Sequence, residues 1–126
     1  MSNPDVEISN ELWRVAVSPA FGALIREAVD LPSGAPMLWR QDSRRAPPLP
    51  RQLPPGGPDS IETFWQIFAG GWFPMFPTAG FTAELEGEYT LFHGELNRLP
   101  WEIVSQSPSE IEMQLMTIRS SFDVVR

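Results

Sequence analysis

Apolar residues in this chain recur at every second position over short runs, and Pro, Gly or Ser closes each run. Trp13, Val15 and Val17 alternate with Arg14 and Ala16 until Ser18-Pro19 ends the stretch. That period sends successive side chains to opposite faces of a strand and leaves no helical stripe. Phe21-Gly22 opens a second run, with Ala23, Ile25 and Glu27 on one face and Leu24, Arg26 and Ala28 on the other. Pro32-Ser33-Gly34 turns the chain, and Met37-Leu38-Trp39 begins a third short strand. Successive strands joined by tight turns predict a β-meander.

The second half repeats the pattern. Phe81 to Leu85 and Tyr89 to Phe92 form short strands around an acidic turn at Glu86-Gly87-Glu88. Trp101, Ile103 and Ser105 alternate with Glu102 and Val104, and Ser107-Pro108-Ser109 makes a turn. Ile111, Met113 and Leu115 then alternate with Glu112 and Gln114 in a strand that runs to Ile118 or Arg119. Residues 101–106 and 110–118 are the clearest hairpin, and Ser121 to Arg126 look like the start of another strand. Helical character is confined to a turn or two within Ser60 to Phe68. The prediction is an all-β fold, an antiparallel β-sandwich.

Residues 41–60 differ in character. The stretch from Arg44 to Pro58 holds six of the fourteen prolines and little apolar bulk. It predicts an extended surface loop with polyproline character. Arg44, Pro47 and Pro50 fit the R-x-x-P-x-x-P pattern of ligands for SH3-type grooves, so an interaction module is one alternative function.

Composition removes several classes of function. At 126 residues the chain is one domain or part of one. A net charge of −7 argues against a nucleic-acid or anionic-membrane partner. The absence of cysteine excludes disulfides, thiolate metal sites and cysteine nucleophiles, and it fits a reducing cytoplasm. The acidic, polar start at Met1 to Glu7 is no secretory signal. The longest apolar run, Phe64 to Phe76, is broken by Gln66, Gly70, Gly71 and Pro74 and is too short to span a bilayer. One histidine and no cysteine make a transition-metal site a poor prospect. No phosphate-binding glycine loop, dinucleotide fingerprint or G-x-S-x-G elbow is present. Glu84, Glu86 and Glu88 alternate along one strand face, where mutual repulsion turns them to water.

The chemistry concentrates between Leu91 and Trp101. His93 is the single side chain whose ordinary pKa lies near neutrality, which suits it to donate or accept a proton. It is either an imidazole satisfied by the backbone or one that faces a ligand. The neighbouring Gly94 permits close approach to the backbone and favours the ligand. Asn97 and Arg98 can both hydrogen-bond vicinal hydroxyls, while Glu95 reads as a solvated loop residue. Trp101 reads as core by its strand alternation. Gly70-Gly71 with Trp72, Phe73 and Phe76 is a packed aromatic corner, a pocket wall, or both. The small Thr78-Ala79-Gly80 leaves space beside it.

Three passages resemble the aldose 1-epimerase (galactose mutarotase-like) family, in its N-terminal portion. Phe21 to Ile25 with Gly34 to Trp39 resembles the family's opening strands and glycine-marked turn. Gly70 to Gly80 is similar to its G-G-x-x-x-x-F/W-P-x-x-G segment, and His93-Gly94-Glu95 to Pro100-Trp101 to its H-G…P-W segment. The resemblance implies a large antiparallel sandwich, the galactose mutarotase-like supersandwich, that interconverts the α and β anomers of a free aldose such as glucose or galactose. It implies no metal and no organic cofactor. By that similarity His93 matches the family's first pocket histidine, with Asn97, Arg98 and Trp72 as further substrate-binding candidates. The family draws a second histidine and a glutamate base from later in a longer domain. This chain has no second histidine, and it carries Ala69 where several relatives have an arginine. The expectation is therefore residues 1–126 as the N-terminal part of a single such domain, incomplete in its catalytic set. A non-catalytic carbohydrate-binding module is the other alternative. An incomplete sandwich should also leave strand edges open to self-association.

Overall fold

The computed structural model describes residues 5–40, 57, 59–68, 70–120 and 122–126, without the side chains of Ile67 and Leu85. The proline-rich stretch 41–56 with Pro58, the Arg44-Pro47-Pro50 pattern and Ala69 lie outside the described residues. Within them the regular structure is mostly strand. Nine strands form three antiparallel sheets, and one α-helix is present among the described residues.

The first sheet is a meander of four strands in sequence order: β1 (Val6–Ser9), β2 (Trp13–Ser18), β3 (Leu24–Asp30) and β4 (Ala35–Pro36). β2 ends at Ser18 as the sequence predicts, because Pro19 starts a single 3-10 turn, Pro19–Phe21. Two boundaries differ from expectation. β1 falls in a segment too polar to read as a strand, yet Val6 is buried and pairs opposite Val17. The third predicted strand, at 37–39, moves back to Ala35–Pro36, where Pro36 is tolerated because it lies on a sheet edge.

The second sheet is the small hairpin β5 (Glu84–Leu85) and β6 (Glu88–Tyr89). Its turn at Glu86-Gly87 has positive φ at both positions and divides what the sequence presents as one strand face. Glu84, Glu86 and Glu88 are exposed, but on a two-residue hairpin rather than a continuous strand.

The third sheet orders β7 (Glu102–Gln106), β8 (Ile111–Met116) and β9 (Asp123–Val125). β7 and β8 are the predicted hairpin, and β9 is the predicted last strand. β8 stops at Met116 rather than at Ile118 because residues 118–120 bend toward Glu95. The helix α1 (Asp59–Ile67) agrees with the turn or two expected over 60–68 and places Ser60 and Phe64 on one buried side.

The first and third sheets share one core. Val17 and Ala23 from the meander meet Met113 from β8 through Leu96 and Trp101. Trp101 is buried, as its alternation predicts, and its indole N–H donates to the Leu96 carbonyl at 3.0 Å. Burying an aliphatic side chain such as Leu96 stabilises by about 2 kcal/mol. No helix among the described residues is long and apolar enough to cross a membrane.

Candidate functional site

The segment 91–99 is a compact turn rather than a strand end. Gly94 donates its backbone N–H to the Leu91 carbonyl at 2.8 Å, and Leu96–Arg98 forms a 3-10 turn. Two outside elements hold it. The first is the strap 70–80. Gly70 and Gly71 both have positive φ, and a Cβ on either would stand 2.5 Å from the Trp39 carbonyl or 2.6 Å from that of Ile25. Only glycine lets the strap lie this close to the first sheet. The strap bridges Ile25 through Trp72 and Gly94 through Phe76.

The second element is α1. The Ser60 hydroxyl accepts the Phe92 N–H at 2.8 Å, and its own proton goes to the Gly57 carbonyl at 2.7 Å. Phe64, one turn on, presents its ring edge-on to His93 at 4.9 Å between centroids. Phe92 and Phe73 complete the ring's surroundings at 3.9 and 5.8 Å.

His93 sits in this cluster half-buried with φ of 60°, a left-handed backbone that side chains rarely adopt. Such an outlier persists only where the surroundings hold it, and it is characteristic of functional positions. Two bonds hold it here. The backbone N–H donates to the Gly80 carbonyl at 2.9 Å, and Nδ1 lies 3.2 Å from the Ala79 carbonyl. A carbonyl only accepts, so Nδ1 carries the proton and Nε2 is the remaining nitrogen. In the neutral ring Nε2 can accept a hydrogen bond from a hydroxyl, and in the charged ring it can donate one. Of the two roles weighed for His93 from sequence, the structure shows the backbone-satisfied one at Nδ1.

The other candidates are placed differently. Asn97 uses its amide N–H groups on the carbonyls of His93 at 2.9 Å and Pro74 at 3.5 Å. It ties the turn beneath the imidazole, and its Oδ1 is buried without a hydrogen-bond partner among the described residues. Arg98 points inward and is 1% exposed. Its Nη2 donates to the Ser60 carbonyl at 2.9 Å and the Phe92 carbonyl at 3.5 Å, while Nε and Nη1 have no hydrogen-bond partner among the described residues. Burial pushes the guanidinium pKa down to about 10. Trp72 is 62% exposed on the strap, and its indole takes no part in the ring cluster around His93. The structure thus joins His93 and Asn97 directly, sets Arg98 behind them, and leaves Trp72 apart.

Glu95 overturns the expectation of a solvated residue. It is 1% exposed, and its carboxylate accepts the N–H groups of Ile118 at 2.9 Å and Arg119 at 3.2 Å and the Ser120 hydroxyl at 2.9 Å. Three donors converging on one carboxylate replace its water shell. The cavity beside it, about 10 Å³, has room for at most one water.

Ser60 and Phe64 are the residues that sequence reasoning missed. The spacing Ser60, Phe64, Phe68 places one face of a short helix against something apolar, and that was the available signal. Among the described residues no carboxylate pairs with the imidazole, and no group of three metal-ligating side chains occurs. The arrangement places one imidazole among aromatic rings.

The fold and site define an all-β protein of antiparallel sheets with a single histidine turn clamped between a glycine strap and a short helix. No family model and no curated protein matches the chain. The crystal structure of the Slr1438 protein from Synechocystis sp. PCC 6803 is similar, with a TM-score of 0.65 at 19% sequence identity over 97% of this chain. The chain spans 42% of the length of that protein. At this identity the likeness is one of fold.

Proposed function

We propose that the chain belongs to an aldose 1-epimerase-like isomerase of the cytoplasm, in which His93 contacts a free aldose such as glucose or galactose. The observation that carries this reading is the imidazole itself. It is held in a left-handed turn, Nδ1 is fixed on Ala79, and Nε2 is left for a ligand hydroxyl or ring oxygen. Phe73, partly exposed beside the imidazole, supplies apolar surface suited to the C–H face of a sugar. The shared core of the first and third sheets supports a sandwich of the galactose mutarotase-like kind.

Opening a pyranose needs an acid at the ring oxygen and a base at the anomeric hydroxyl. No carboxylate pairs with the imidazole among the described residues. The expected rate for this chain is therefore ~10²–10⁴-fold below that of a site with both partners. The expected signal is binding. Galactose or glucose should change the Trp fluorescence saturably, and His93→Gln should abolish that change without altering the circular dichroism. A flat titration, or one indifferent to His93, sinks the reading.

The lone imidazole also favours a second reading, a carbohydrate-binding module without turnover. Polarimetry on freshly dissolved sugar separates the two. A rate gain that His93→Gln removes belongs to the isomerase, and saturable binding with no gain belongs to the module.

A further inference from the structure

Glu95 ties the histidine turn to two separate parts of the fold. Its backbone N–H donates to the Phe76 carbonyl on the strap at 2.9 Å. Its carboxylate reaches the third sheet instead, where it accepts the Ile118 and Arg119 N–H groups and the Ser120 hydroxyl. These residues follow β8, and the segment closes at a neck between Thr117 and Phe122. There the Thr117 N–H donates to the Phe122 carbonyl at 2.8 Å, and the Thr117 hydroxyl accepts the Phe122 N–H at 2.6 Å. The neck also leans on the strap, because the Phe122 ring meets that of Phe76 edge-on at 5.3 Å.

Both paths therefore converge on Phe76. Its carbonyl accepts the Glu95 N–H and fills the space beside Gly94, while its ring carries Phe122. His93 comes just before Gly94, and its left-handed backbone persists only where outside contacts hold it. The other hydrogen bonds of residues 91–98 close within the turn or run to the strap and α1. Among the described residues, the Glu95 carboxylate alone bonds that turn to the third sheet.

A residue that only filled space here would be apolar, as the buried neighbours Leu91 and Leu96 are. A buried carboxylate gives up its water shell and needs each donor in a fixed place. It therefore admits one placement of Ile118 to Ser120 where an apolar side chain would tolerate several. We propose that Glu95 is a positioning residue of the candidate site. By fixing Ile118 to Ser120 behind the turn and the strap in front of it, Glu95 holds His93 in its left-handed backbone with Nδ1 on Ala79. This role in binding rests on the reading of His93 as a sugar contact.

His93 is the chain's single histidine, so the NMR signals of its ring nitrogens are unambiguous. In the wild-type chain they should report one neutral tautomer, with the proton on Nδ1. Glu95→Ala should draw the two nitrogen signals together as the tautomers mix. It should also weaken galactose binding, read from Trp fluorescence, by roughly tenfold. Glu95→Gln keeps an acceptor oxygen for the Ile118 and Arg119 N–H groups and should hold both readouts near wild type. Ser120→Ala removes one donor of the three and should move both readouts the same way by less. Val29→Ala, at a buried position in β3, lowers stability away from the turn and should leave the ring signals unchanged. Wild-type ring signals in Glu95→Ala, or an equal shift in Val29→Ala, overturn the proposal. If Glu95→Ala does not fold, unmoved ring signals in Ser120→Ala overturn it equally. Ring signals that move as expected in chains that bind no galactose sink the sugar reading and leave the positioning of His93 standing.

Discussion

The carbonyl of Phe76 fills the space that a Cβ on Gly94 would need, and the two residues pair as a parallel bridge. The glycine next to the histidine does admit a close neighbour, and that neighbour is the chain's own strap. His93 and the strap are thereby held as one unit.

Gly94→Ala should therefore cost stability twice over, through its positive φ and through the collision with Phe76. The expected loss is roughly 2 kcal/mol or more. Urea unfolding followed by Trp fluorescence measures it, and an unchanged midpoint would show that the strap yields freely.

Glu95→Gln tests the carboxylate clamp. The amide oxygen can still take the Ile118 and Arg119 N–H groups while the N–H₂ turns to the Ser120 hydroxyl, so the change removes the charge assistance of these bonds rather than their partners. We expect a loss of roughly 1–2 kcal/mol. Hydrogen exchange should accelerate at Ile118 and Arg119, the two amides that the carboxylate accepts. Protection that survives the substitution argues against the clamp.

Ser60→Ala removes the acceptor for the Phe92 N–H and leaves that buried donor empty. The expected loss is about 1–3 kcal/mol. His93 follows Phe92 directly, so its ring should also gain mobility, visible as altered imidazole resonances. Identical resonances in the variant would separate α1 from the histidine turn.

Arg98 makes the opposite kind of prediction. Its guanidinium is buried without a counter-ion among the described residues and is pushed down from the usual arginine range to about 10 by desolvation. The folded state releases this proton near pH 10 and the unfolded state only at higher pH. Burial of the charged form thus lowers stability at every pH below 10, and the penalty fades as pH rises above 10. Arg98→Met fills similar volume without the charge, so at neutral pH it should change stability by less than about 1 kcal/mol or raise it. Above pH 10 the comparison should shift toward the wild-type chain. Arg98→Ala should instead cost roughly 2 kcal/mol or more by leaving a cavity. A large neutral-pH loss in Arg98→Met would show that the hydrogen bond to Ser60 outweighs the buried charge.

Much of the strand plan was legible because alternation is a local property. β2, β7 and β8 fall where apolar and polar residues alternate between turn residues, and β9 falls within the last stretch that looks like a strand. β1 was hidden because four residues containing Glu7 and Ser9 are too few to show a period. β5 and β6 shrank to two residues each because Thr90 folds its hydroxyl onto Ala83, accepting its N–H at 2.9 Å and donating to its carbonyl at 3.0 Å.

The amino-acid sequence alone determined that this chain forms antiparallel strands, since alternation and turn residues are properties of neighbouring positions. Only the tertiary structure decided what Glu95, Asn97 and Arg98 do. Their polarity suggested a solvated, ligand-facing turn. Their partners lie far along the chain, with Ser60 38 positions from Arg98 and Ser120 25 positions from Glu95. Folding brings those groups within hydrogen-bond reach and removes the water that would otherwise have served. What remains outward is the one nitrogen of His93 that no backbone group has claimed.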